Sequence, residues 1–175
     1  LAEGLKDVPL DRAISSPLQR SFKTCQFCAD LHDLSVSADE RLSEINHGSW
    51  EGRLASEIAE AYPEDFGRWH SQPHLVQMPD GGENLDDVRR RVRAAFDEYV
   101  EKYPDETILV AAHDAVNKAI ICDLMGIGME HFWQIKQDNT CINVLEYNEG
   151  TWRIVLLNST AHMGYLFSGI EQAGL

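Results

Sequence analysis

"TILVAAHDAVNKAIICDLMG", residues 107–126, decides the fold. Its first six residues are nearly continuous in apolar and β-branched side chains, the pattern of a strand buried on both faces in a parallel sheet. The run breaks at His113 and Asp114, and the residues after them read as a helix. A strand that turns straight into a helix, carrying a histidine and an aspartate at the corner, is the building block of an open α/β sheet. In such sheets ligands gather beyond the carboxyl ends of the strands.

A second corner of the same kind lies upstream. "RAIS" (12–15) is a short strand, and Ser16 then reads as an N-cap, with Pro17 first and Gln19 third in a helix running from 17 to about 33. Residues 1–5 look like the end of a helix without a start signal. "SVSA" (35–38) is a weak strand, and "EINHGSWEG" (44–52) is too rich in Gly, Asn and Ser to be regular. A helix is expected over about 54–62 and a loop over 71–84. A long helix over 84–103 follows, with Leu85, Val88, Val92, Ala95, Phe96 and Tyr99 at three-and-four spacing. "TCINVLEY" (140–147) and "TWRIVLLN" (151–158) form a hairpin at one end of the sheet. The expected architecture is one α/β domain over 1–175: a three-layer sandwich, its mostly parallel central sheet covered by helices on both faces.

Composition narrows the partners. Of 175 residues, 43% are hydrophobic, enough for one sizeable core. Acidic residues outnumber basic ones by 29 to 15, a net charge of −14, which argues against nucleic acid or an anionic membrane as partner. No apolar run approaches the roughly 20 residues of a membrane span, and the first residues lack the pattern of a signal peptide, so the cytoplasm is the expected location. Cys25, Cys28, Cys122 and Cys141 read as reduced thiols. Cys25-x-x-Cys28, with His32 on the same helical face, is a weak metal or redox signal: no second pair follows, and it lies in an apolar stripe with Leu18, Phe22 and Leu31.

Chemistry concentrates at the two corners. Arg20 comes one turn into its helix, where its charge opposes the helix dipole and so calls for a reason. A guanidinium is suited to bidentate phosphate binding, and an imidazole titrates near neutrality. Arg20 and His113, at equivalent ends of two strands, therefore predict a phosphate pocket. Alone, each has an ordinary reading: a solvated arginine, a packed histidine, and Asp114 as a helix cap. Glu44 stands among Leu42, Ile45 and Trp50, where partial burial would raise its pKa toward that of a general acid; otherwise it is a surface glutamate.

These segments, in this order, resemble the histidine phosphatase superfamily, the phosphoglycerate mutase-like family, in its phosphatase branch. "SSPLQRS" resembles its Ser-Pro-x-x-Arg corner, and "LSEINHGSWEG" its Leu-x-Glu-x-x-x-Gly-x-Trp-x-Gly segment. "PDGGENLDDVRRRV" resembles its Pro-x-Gly-Glu-Ser helix start, and "ILVAAHDAVNKAII" its second catalytic-histidine strand and helix. The resemblance implies a metal-independent phosphomonoester hydrolase, without cofactor, acting through a phosphohistidine. In it Arg20 binds the phosphate, Glu44 is the proton donor and His113 is the second histidine. Phosphoglycerate mutase-type transfer and a catalytically silent phosphate-binding module are the alternatives.

Two departures matter. The family's Arg-His-Gly segment, which brings the nucleophilic histidine on a central first strand, has no counterpart here, and "RH" occurs nowhere in the chain. The expectation is an N-terminally incomplete domain, inactive as given, with a sheet edge that favours a homodimer. Asp114 stands where the family has glycine or a small uncharged residue. As a substrate-binding residue it has to meet a cationic part of the substrate; otherwise it turns away from the phosphate. Inorganic phosphate or a small phosphorylated substrate is the expected ligand, with substrate choice placed in 53–80, on Arg53, Arg68, Trp69, His70 and His74. Asn139 is expected to hold a turn near the pocket, and His162 to be structural.

Overall fold

Three strands form the parallel sheet of the computed structural model, which describes residues 1–164. After a short helix α1 (Ala2–Leu5), the chain enters β1 (Arg12–Ser15), then helix α2 (Gln19–Ala29) and strand β2 (Val36–Ala38). A stretch of 3₁₀ turns and loop leads to α3 (Ala55–Ala61) and α4 (Pro63–Ser71), and a second loop to α5 (Leu85–Lys102). Strand β3 (Ile108–Ala111) and helix α6 (Asp114–Met125) follow, and the hairpin β4 (Ile142–Asn148) and β5 (Thr151–Ser159) closes the order. The strands line up as β2-β1-β3, with Ser15 paired to Ala38 on one side and to Ala111 on the other.

The alternation of side chains along β1 defines the layers. Ala13 packs with Cys25 and Ala29 of α2 and with Leu109 and Ala111 of β3. Ile14, its neighbour, belongs to the larger core of Val88, Val92 and Ala95 from α5 and Val116 and Ala119 from α6. Helices thus cover both faces of the sheet, as the pattern predicts. Trp50 and Trp69, each 1% exposed, fill the same core beside the Glu44 loop.

Four expectations change. Helix α2 starts at Gln19 and not at Pro17, because Leu18 is extended and Ser16 does not cap it. The Ser16 hydroxyl is instead held by two partners, accepting from the Leu18 N–H (3.2 Å) and bonding His113 Nε2 (2.8 Å). Helix α4, opened by Pro63 at its first position, was not foreseen. Strand β3 is half-buried and not fully buried. Its residues pack on both faces, but its outer edge pairs with no strand among the described residues. For the same reason the β4–β5 hairpin stands as a separate two-stranded sheet and does not extend the parallel one.

Candidate active site

The register of β1 and β3 brings the two predicted corners side by side. Ser16 N–H donates to Ala111 O (2.9 Å), so the chain leaves both strands at the same level. His113, extended at φ −135° and ψ 173°, is the residue before α6, and its ring is 7% exposed. Burial, then the positive charges of Arg20 and Arg91, push its pKa down to about 4. At neutral pH it is an uncharged imidazole, and its bond to Ser16 ties the two corners across 97 residues of sequence.

Arg20, in the first turn of α2, is exposed, and its guanidinium makes no hydrogen bond or ion pair among the described residues. Its charge reaches both His113 and Glu44. A free guanidinium beside the opening N–H groups of α2 suits an anion, not a packing role.

Glu44 comes from the irregular segment between two 3₁₀ turns, Glu40–Leu42 and Gly48–Trp50. Its Oε1 accepts the N–H of Ile45 (3.0 Å) and the N–H of Ala115 at the start of α6 (3.2 Å). Burial is the main cause that raises its pKa to about 7, helped by the Asp114 charge and opposed by these N–H groups and by Arg20. With Oε1 already accepting twice, a proton on the carboxyl belongs on Oε2, which makes no hydrogen bond among the described residues. A carboxyl with its pKa raised in this way can hold a proton near neutral pH.

Asp114 begins α6 beside His113. Its Oδ2 accepts from Lys118 Nζ (2.8 Å), a lysine only 2% exposed that lies over the rings of Trp133 (4.5 Å) and Phe132 (5.0 Å). The aspartate's charge is thus met from within the protein, a partner the sequence did not reveal.

The outer candidates separate. Trp69 is core; His70 stacks on Trp133 (5.2 Å, 6° between planes). Arg53 lies over Tyr62 (5.4 Å), and Arg68 and His74 are exposed. Asn139 sits in the turn closed by Cys141 N–H to Asp138 O (3.0 Å), but the bonds that hold this turn to β5 come from Asp138 and Asn158. His162 packs against Gly4 of α1, a structural position. Cys25 and Cys28 are each 1% exposed, and burial pushes the Cys25 thiol up to about 12. They are core thiols, and no cluster of three or more metal-ligating side chains exists among the described residues. No helix among the described residues is long and apolar enough to cross a membrane.

The carboxyl ends of two parallel strands thus carry a guanidinium and a neutral imidazole, and a carboxyl with a raised pKa is bonded to the start of the helix that follows the second strand. The chain belongs to the histidine phosphatase superfamily (branch 1), whose sequence pattern matches residues 1–160, and so to an enzyme family. It is 36% identical over 173 residues to phosphoserine phosphatase 1 of Hydrogenobacter thermophilus, covering 99% of this chain and 82% of that protein. The structure of Bacillus stearothermophilus YhfR superposes with a TM-score of 0.88 at 27% identity, over 93% of this chain and 80% of that one. A phosphoserine phosphatase variant from Entamoeba histolytica, solved with phosphoserine, superposes with a TM-score of 0.80 at 22% identity, over 93% of this chain and 80% of its own, which is a likeness of fold.

Proposed function

We propose that this domain hydrolyses small phosphomonoesters through a phosphohistidine, with Arg20, Glu44 and His113 as its catalytic residues. The observation that carries the proposal is the meeting of an unpaired Arg20, a neutral His113 and a Glu44 poised near pH 7 at the ends of β1 and β3. Arg20 binds the phosphate and the charge that spreads over its oxygens as the P–O bond breaks. The phosphoryl group passes to an imidazole nitrogen, and the Glu44 proton goes from Oε2 to the leaving alkoxide. Water then attacks phosphorus, returns a proton to Glu44 and releases inorganic phosphate. Neutral His113 donates or accepts a hydrogen bond at the phosphate without adding a second cation.

The proposal assigns the nucleophilic histidine to a strand seated on the open edge of β3, which the half-burial of Ile108–Ala111 leaves room for. The 175 residues alone would then bind phosphate without turnover, and β3 would pair with another copy of the chain. The substrate class we propose is an amino-acid phosphomonoester such as phosphoserine. Its support is the likeness to phosphoserine phosphatases.

The test is hydrolysis of p-nitrophenyl phosphate and phosphoserine beside thermal protection by phosphate and vanadate, with His113→Ala as control. Protection without turnover supports a site that lacks its nucleophile. Turnover abolished in His113→Ala would make His113 the phosphoryl acceptor and overturn the assignment of roles. Neither protection nor turnover would remove the phosphate site.

A further inference from the structure

Glu44 lies on a segment with no regular backbone pairing, yet its carboxyl has to stay within hydrogen-bond reach of α6. Two side chains from one other part of the chain hold that segment. Arg91, on α5, forms a bidentate pair with Glu83, Nε to Oε1 at 2.7 Å and Nη2 to Oε2 at 3.0 Å. The same guanidinium donates to Arg41 O (2.7 Å) and to Glu44 O (3.3 Å). Glu83 completes the grip from the other side: its Oε2 accepts the Asn46 N–H (3.0 Å), and its own N–H donates to Asn46 O (2.8 Å). Three backbone positions, before, at and after the acid, are thus tied to one ion pair.

The neighbouring arginines do not share this role. Arg89 pairs with Asp86 and Asp123, and Arg90 with Asp87, as expected of side chains turned roughly 100° apart on a helix. The Arg91–Glu83 side chains are only 19% and 24% exposed, so the pair is unlike the solvated surface pairs that contribute little. A planar guanidinium can hold a carboxylate bidentately and still reach two carbonyls, which an ammonium cannot. The backbone approaches closely at the same place: a Cβ on Gly82 would lie 2.6 Å from Asn46 O and 2.9 Å from Gly48 N.

We propose that Arg91 and Glu83 act as a clamp that positions the Glu44 carboxyl between α6 and the phosphate pocket, which makes them positioning residues for the acid step. The proposal rests on the reading of Glu44 as proton donor. The clamp keeps the loop closed over the carboxyl, and so keeps it dry; without it the loop opens and water reaches Oε1 and Oε2.

Carbon-13 titration of the Glu44 carboxyl in the full chain tests this without requiring turnover. The variant is the double change Arg91→Met with Glu83→Gln, which removes one charge of each sign and leaves the net charge of the chain unchanged. The charges that reach the carboxyl from other elements, Arg20 on α2 and Asp114 on α6, stay in place, as does Lys118, the partner of Asp114. In the wild type the midpoint is expected at about 7. In the double variant it falls by about one unit or more, an approximately tenfold loss of proton affinity. Amide exchange at Ile45 and Asn46 quickens with it.

A matched control removes a bidentate pair remote from the Glu44 loop, Arg12 with Glu106 (2.8 and 3.0 Å), by Arg12→Met with Glu106→Gln. It leaves the Glu44 midpoint where it is. A midpoint unmoved in the clamp variant, or moved equally by the control, overturns the clamp and leaves the acid assignment standing. A wild-type Glu44 that titrates in the ordinary carboxylate range overturns both. Should the double variant fail to fold, Arg91→Lys decides: a smaller shift of the same sign supports the clamp, and an unmoved midpoint overturns it.

Discussion

Glu44 and His113 both lie beside the start of α6, and the segments that carry them, a loop wall and a corner wall, are built on different principles. His113 stands where a strand meets a helix, and regular backbone pairing on β1 and β3 sets its place. Glu44 stands on a loop whose place is set by side chains from elsewhere, Arg91 and Glu83 above all. Burial drives both groups toward the neutral form, but their pKa values move in opposite directions, up to about 7 for the acid and down to about 4 for the base. A wall made of regular structure tolerates change at single side chains, whereas a wall made of interlocked loops depends on each close contact.

Gly48→Ala should break the loop wall with the largest effect. Gly48 has φ +60°, and a Cβ there would lie 1.7 Å from Pro79 O, so backbone has to move. We expect a loss of ~3 kcal/mol or more in urea denaturation. A loss below ~1 kcal/mol would show that the loop wall is not interlocked as described.

Glu44→Gln should have the next largest effect, with a pH signature. The folded pKa of Glu44 lies above its ordinary value, so the folded state holds the extra proton between about 4.5 and 7 and stability falls as pH rises through that window. Glutamine keeps both N–H acceptances and carries no charge. At pH 8 the variant should be more stable by on the order of 2–3 kcal/mol, an upper figure for a partly buried group, with little change at pH 4.5. His113 has the opposite sign: the folded state binds fewer protons between about 4 and 6.5, so stability falls as pH drops through that range. In the wild type the two slopes partly cancel. Glu44→Gln should uncover the His113 slope, and a flat stability profile from pH 4.5 to 6.5 in that variant would contradict a buried, neutral His113.

Ser16→Ala removes the bond that joins the two corners and is expected to cost ~1–2 kcal/mol, less than the glycine change because the strands still set the geometry. A loss as large as that of Gly48→Ala would erase the distinction between the walls. Arg20→Ala should have the smallest effect on stability, within ~0.5 kcal/mol, because the side chain is exposed and makes no hydrogen bond or ion pair among the described residues. Thermal protection by phosphate or vanadate should disappear in the same variant. Retained protection would separate Arg20 from the anion site.

The corner wall was largely legible in the sequence, and the loop wall only in part. Arg20 and His113 stood out because each follows a short apolar strand, and Glu44 because of its apolar neighbours, with the family resemblance supplying its role. Ser16 was misread as a helix cap, because the reading was local and its second partner lies 97 residues away. Arg91 is one of three consecutive arginines and Lys118 one position along a helix; nothing in their local sequence shows which of them is buried or paired.

By itself the sequence determined the order and type of most elements, α4 excepted, since periodicity, caps and turns act over a few residues. It also determined the chemical types gathered at the two strand ends. Only the tertiary structure decided that β3, more apolar than β1, is the less buried strand, because burial depends on which neighbours lie at its edge. It likewise decided that Arg91 and Glu83 hold the acid, because hydrogen bonds between residues 37 to 50 positions apart exist only once the chain has folded.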